Sequence, residues 1–101
     1  MPKSSRGLGV FEVILLAGIR HLGENATGAN LLVALQAKAK RTIAVGQLYL
    51  SLATLESRGL IGHRILPAVP IRGGRSKKLY LLTEAGANQL DDTLAMLVDN
   101  P

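Results

Sequence analysis

The stretch Thr42 to Ile61, TIAVGQLYLSLATLESRGLI, constrains this chain more than any other. On a 3.6-residue period Val45, Leu48, Leu52 and Leu55 fall on one side, which predicts an amphipathic helix with that face in a core. Gln47, Ser51, Thr54 and Arg58 form the opposite strip, rich in hydrogen-bonding groups and carrying one charge. Such a strip suits contact with the edges of bases better than mere hydration. Gly59 stops the helix, and Leu60-Ile61 open a strand.

Ile61 to Leu66 reads as that strand, and Lys78 to Leu82 reads as its partner. Between them PAVPIRGGRS is rich in turn formers, and Gly73-Gly74 supplies the positive φ that a tight tip requires. Pro67 and Pro70 limit pairing of the outgoing strand. A helix feeding a basic hairpin is the plan of a winged helix-turn-helix. The expected fold is therefore α+β and mainly α, with a three-helix core, a two-stranded wing and a C-terminal helix. Gly73-Gly74 lacks the strand-loop-helix context and the Lys-Ser/Thr ending of a phosphate-cradling loop.

Upstream, MPKSSRG reads as a flexible basic arm over residues 1–7. Lys3 and Arg6 before an apolar run imitate a secretion signal, but Glu12 interrupts the run and Arg20-His21 stand where small cleavage-site residues belong. The run is also too short to span a bilayer. Helix 1 is expected from Leu8 to Leu22, with Leu8, Phe11, Ile14, Leu15, Gly18, Ile19 and Leu22 on one face. Val10, Val13, Leu16 and Ala17 make a second apolar facet, to be covered either by another subunit or by the C-terminal helix of the same chain. Helix 2 is expected from Ala26 to Ala39, with Leu31, Leu32 and Leu35 inward and Asn25 or Thr27 as its cap. Thr83 caps a last helix with Glu84 in its first turn and an apolar stripe of Ala87, Leu90, Leu94 and Leu97.

Charge placement speaks to partners. The net charge is +5, with Lys38, Lys40 and Arg41 before the central helix and Arg72, Arg75, Lys77 and Lys78 after it. Basic groups flanking the proposed reading element form a phosphate-binding footprint on double-stranded DNA. Lys38, Lys40 and Arg41 also suit the carboxyl end of helix 2, a plainer reason for their presence. Asn25-Ala26-Thr27 matches the glycosylation triplet by chance, since no secretion signal accompanies it. The chain has no cysteine, which fits a reducing cytoplasm.

Enzymatic readings find little here. His21 and His63 are isolated, no metal-ligand spacing occurs, and Ser51 and Ser57 lack a partnered His and carboxylate. Asp91 and Asp92 are neighbours on a helix and point apart. Neither a catalytic residue nor a cofactor is expected, and nothing in the pattern supports a small-molecule effector or a membrane partner. A 101-residue chain makes one modest core, so oligomerisation is expected.

From Leu8 to about Leu90 the sequence resembles the PadR-like family of winged-helix transcriptional regulators. The resemblance is carried by Leu8-Gly9, Phe11-Glu12, Gly28, Gly46-x-Leu48-Tyr49 and Leu52-x-x-Leu55-Glu56-x-x-Gly59-Leu60-Ile61. It continues through Gly74-Arg75, Tyr80 and Leu82-Thr83-x-x-Gly86, and its specificity lies in their order and spacing. It implies a DNA-binding repressor, a homodimer on an inverted repeat, with helix 3 in the major groove and the wing on flanking phosphate or minor groove. Ala44 stands where the family often has a capping Ser, leaving Thr42 to cap helix 3; Thr27 replaces a usual Tyr, and Leu50 a frequent Pro. One short helix replaces the long dimerisation region of larger members. With no Trp, and Phe11, Tyr49 and Tyr80 as the aromatics, an aromatic-lined drug pocket is not expected.

The expected sites follow. Gln47, Leu50 and Ser51 would read bases; Lys38, Lys40, Arg41, Thr42, Tyr49, Arg72, Arg75, Lys77 and Lys78 would hold phosphate. Tyr49 has two options, donation to phosphate or packing on helix 2. Val10, Val13, Leu16, Ala17, Leu90, Leu94 and Leu97 would form the dimer interface, residues 84–101 being the dimerisation element and 8–83 the DNA-binding domain. The alternative is a protein-binding winged helix, which the 48% hydrophobic content would fit; the basic flanks favour DNA.

Overall fold

A computed structural model of the chain describes residues 7–39, 42–67 and 77–99. Most of the basic arm, Lys40, Arg41 and the hairpin tip with Gly73-Gly74, Arg72 and Arg75 lie outside the described residues. The elements are α1 (Val10–Leu22), α2 (Gly28–Ala39), α3 (Val45–Ser57), β1 (Ile61–Leu66), β2 (Lys77–Leu82) and α4 (Glu84–Asp99), with a 3-10 turn at Gly23–Asn25 between α1 and α2. This is the expected mainly helical winged-helix plan.

Local chemistry sets most boundaries. α1 starts two residues later than Leu8, because Gly9 is extended and gives its N–H to Glu12 Oε1 at 2.9 Å while its carbonyl accepts from Val13 N. α2 starts at Gly28: of the two candidate caps it is Thr27 whose Oγ1 accepts from Asn30 N at 3.3 Å and whose carbonyl accepts from Leu31 N. α3 ends before Gly59, whose φ of 78° is one a side chain would oppose. Thr83 caps α4 as expected, accepting from Gly86 N at 3.0 Å, and its hydroxyl also donates to the Gly59 carbonyl at 2.7 Å. One threonine thereby ties the start of α4 to the end of α3.

The core draws on every element: Leu15, Leu16 and Ile19 of α1, Leu31 and Leu35 of α2, Leu48, Leu52 and Leu55 of α3, Leu60 and Ile61, Leu79 and Tyr80, and Leu90 of α4. β1 and β2 are antiparallel, in register from Ile61 opposite Leu82 to Leu66 opposite Lys77. Thr27 bridges Leu79, and Tyr80 N donates to the Ala26 carbonyl at 2.9 Å, so the segment before α2 lies along β2 as a minimal third edge. That pairing seats the wing against α2.

Two interface expectations are corrected here. Leu16 and Leu90 are fully buried in the core of this single chain and have no surface to offer a partner. α4 packs on α1, and Arg20 and Asp91 join the two helices at 2.6 Å. The second facet of α1 is thus divided: Leu16 is consumed internally, Val13 and Ala17 are half-buried, and Val10 is 79% exposed. On α4, Leu94 is half-buried, whereas Met96, Leu97 and Val98 stand exposed. Among the described residues no helix is long and apolar enough to cross a membrane.

Candidate nucleic-acid interface

α3 turns Leu48, Leu52 and Leu55 into the core, which carries Gly46, Leu50, Ala53 and Ser57 to the opposite side at spacings of four, three and four residues. Gln47 is exposed on one flank of this outward face and Tyr49 on the other. The strip expected to face outward is therefore displaced. Ser51 and Thr54 are half-buried, and Thr54 Oγ1 donates back to the Leu50 carbonyl at 3.0 Å. Arg58 is drawn away from the strip altogether, with Nη1 3.3 Å from both carboxylate oxygens of Glu12. Val45, expected inward, is 53% exposed because it sits at the very start of the helix, before the core-facing side closes over it.

The start of α3 departs from expectation too. Ala44 holds the capping position and no side chain caps the helix; Thr42 is exposed and does not take that role. Gln36 supplies order in its place, its Oε1 accepting from Ile43 N at 3.0 Å, so Ile43, just ahead of α3, is tied to α2.

A cleft of about 290 Å³ opens beside the Tyr49 flank of α3, lined by Thr27, Gly28, Ala29, Tyr49, Lys77, Lys78 and Tyr80. Three elements converge on it. The amino end of α2 contributes the positive end of its dipole, β2 contributes two lysines, and α3 and β2 each contribute a tyrosine. Burial pushes the Tyr80 phenol above its ordinary 10.0, helped by Tyr49 and the Glu56 carboxylate, so Tyr80 remains a neutral hydroxyl. Cations, a helix amino end and hydroxyl donors together make an anion-accepting surface.

Of the two options for Tyr49, packing on α2 is observed. Its phenol lies over Gly28, where an added Cβ would sit 2.7 Å from Cζ, and only glycine leaves room for the ring. The ring is half exposed, so its hydroxyl still borders the cleft. Behind it Glu56 Oε2 meets His63 Nδ1 at 2.5 Å, and the His63 ring stands 6.3 Å from that of Tyr80. This pair braces α3 against β1; no spacing rule in the sequence foretold it.

Of the described phosphate candidates, Tyr49, Lys77 and Lys78 are brought together in the cleft. Lys38 is not: it lies at the far end of α2, on a groove between α1 and α2 lined by Val13, Ile14, Ala17, His21 and Leu22. Among the described residues no three His, Cys, Asp or Glu side chains cluster to hold a metal ion.

The chain is similar to several solved structures. It matches hsRosR-S4 at a TM-score of 0.73 and 25% identity over 94% of this chain and 75% of that one. It matches Bacillus subtilis PadR, solved in complex with operator DNA, at 0.71 and 25% over 85% of this chain and 47% of that one, so it spans about half of that protein. A PadR family transcription regulator from Clostridium difficile matches at 0.64 and 23%, covering 89% of this chain and 91% of that one, a likeness of fold. No curated protein matches the sequence. The model of the transcriptional regulator PadR-like family covers residues 16–92, most of the chain including α2, α3 and the wing. With that match and the winged-helix geometry just described, the chain belongs to the PadR-like family, whose members are transcriptional regulators rather than enzymes.

Proposed function

We propose that this protein is a sequence-specific DNA-binding regulator that acts in the cytoplasm as a repressor, bound as a homodimer to an inverted-repeat operator. The observation that carries the reading is the placement of Lys77, Lys78 and Tyr49 around the amino end of α2, directly beside the outward face of α3. With α3 in the major groove, a backbone phosphate would enter this cleft, and the helix would be held in register by groups indifferent to sequence. Base contacts would come from Gln47 and Leu50, with Ser51 half-buried at the margin. Thr42, Arg72 and Arg75, and Lys40 and Arg41, would add phosphate contacts on either side. Bacillus subtilis PadR, of the same fold, was solved with operator DNA, which supports the class of ligand.

The dimer is proposed through the parts of α1 and α4 that the monomer leaves uncovered. Val10 and the α1 groove residues Val13, Ile14 and Ala17 remain apolar and accessible, as do Met96, Leu97 and Val98 of α4. A two-fold arrangement would bury both patches and set two α3 helices on one face of the duplex.

Selection of bound fragments from random duplex DNA tests the reading. Enrichment of two half-sites in inverted orientation, about 10–10.5 bp or a multiple of that apart, is the expected result. A pool that never converges would refute it. A protein-binding winged helix is the second reading, favoured by the apolar Leu50 at the centre of the outward face, 70% exposed. It predicts a protein partner retained in high salt and no converging DNA sequence.

A further inference from the structure

We infer that α3 discriminates its target chiefly through the 5-methyl groups of thymine, with Leu50 as the specificity-determining side chain, an assignment that rests on the DNA-binding reading above. The outward face of α3 is made of Gly46, Leu50, Ala53 and Ser57, and three of these four side chains have no atom able to donate or accept a hydrogen bond. An apolar face cannot read the acceptors of guanine or the amino group of cytosine. The major groove offers one apolar mark, the methyl of thymine.

Relief around Leu50 fits that role. A Cβ placed on Gly46 would meet nothing within 4 Å, so the face beside Leu50 is open space rather than packed protein. Ala53, one turn on, projects only a methyl, so Leu50 is the single prominence between two low positions and is free to reach the floor of a groove. Gln47, exposed on the adjoining flank, carries the amide that pairs bidentately with adenine. Leucine on a thymine methyl with glutamine beside it makes a reader of A·T pairs.

The occupant is argued from charge as well as shape. The same helix flanks a cleft lined by Lys77 and Lys78, in a chain of net charge +5, which fits a polyanion rather than an apolar protein surface.

The test replaces thymine by uracil, which removes the methyl and leaves every hydrogen-bonding group intact. Duplexes carrying the selected site, with each thymine in turn as deoxyuridine, are titrated with wild type and with Leu50→Ala by fluorescence anisotropy. Loss of one buried methyl should weaken wild-type binding about fourfold at one or two positions of each half-site. In Leu50→Ala, where an exposed side chain is shortened without touching the core, the thymine-to-uracil ratio at those positions should fall to about one. Gln47→Ala should keep the ratio. Equal binding of thymine and uracil duplexes by wild type, or a ratio that persists in Leu50→Ala, overturns the inference while sequence-specific binding stands. If no sequence can be selected at all, the DNA-binding reading fails first and the inference with it.

Discussion

Arg58, at the end of the helix proposed to read DNA, and Glu12, in the first turn of α1, form an ion pair whose side chains are only 12% and 18% exposed. Glu12 Oε1 also accepts the Gly9 N–H, so one carboxylate orders the start of α1 and holds the far end of α3. Removing it takes this carboxylate from a largely buried guanidinium and leaves the helix start without its bond to Gly9. We predict that Glu12→Ala lowers stability by about 1–3 kcal/mol. Urea unfolding of the two proteins measures this, and coincident midpoints would show that water replaces the carboxylate at no cost.

Two glycines should respond differently to the same methyl. At Gly86 a Cβ would lie 2.8 Å from the Leu60 carbonyl carbon and closer still to its oxygen, a rigid backbone obstacle. At Gly28 the obstacle is the Tyr49 ring, which can swing outward. Gly86→Ala is expected to cost about 2 kcal/mol or more, whereas Gly28→Ala should stay within about 1 kcal/mol of wild type, helped by the better helix propensity of alanine. Gly28→Ala should instead weaken DNA binding by displacing Tyr49 from the cleft. Thermal unfolding alongside a binding titration separates the two; a reversed order of stabilities would contradict this packing.

Tyr80 gives an alkaline signature. Its phenol is held above 10.0, first by burial and then by Tyr49 and Glu56, so the folded state keeps a proton that the unfolded chain releases. The stabilisation is complete below pH 10 and is lost as pH rises through the raised value. Urea midpoints followed from pH 8 to 11 should fall more steeply in wild type than in Tyr80→Phe. Parallel curves would mean that the phenol is solvated.

Much of this architecture is legible in the sequence. β1 runs from Ile61 to Leu66 because Gly59 and Pro67 fence it, and Thr83 announces α4 because a hydroxyl followed by an acidic first turn is a local signal. The outward face of α3 was not legible in the same way. Periodicity divides a helix into sides, but only tertiary partners decide which marginal residues are taken inward, and Arg58 is taken by a glutamate 46 positions away. Leu16 and Leu90 show the same limit, since an apolar residue reads alike whether its own core or a partner covers it. The cleft was half visible: Lys77, Lys78 and Tyr49 were candidates, but the Thr27 to Leu79 bridge that brings them to α2 leaves no mark in composition or spacing.

For the dimer, Val10→Glu and Leu97→Glu are informative because both residues are exposed, at 79% and 67%, and the monomer core does not need them. Each should keep its helical circular dichroism and sediment as a monomer at concentrations where wild type is a dimer. Wild type sedimenting at 10.7 kDa under the same conditions would remove the dimer from the account.

Phosphate clamping beside α3 is tested most directly by a salt titration of DNA binding, wild type against Lys77→Ala/Lys78→Ala, on the selected duplex and on a scrambled one. Each phosphate neutralised by a lysine releases condensed counterions, so the slope of log affinity against log salt should flatten by about 0.9 for each lysine that no longer meets a phosphate. The expected result is a slope shallower by nearly two, with affinity reduced alike on both duplexes because these residues carry no sequence information. Identical slopes for the two proteins would contradict it, and would return Lys77 and Lys78 to an ordinary solvated strand end.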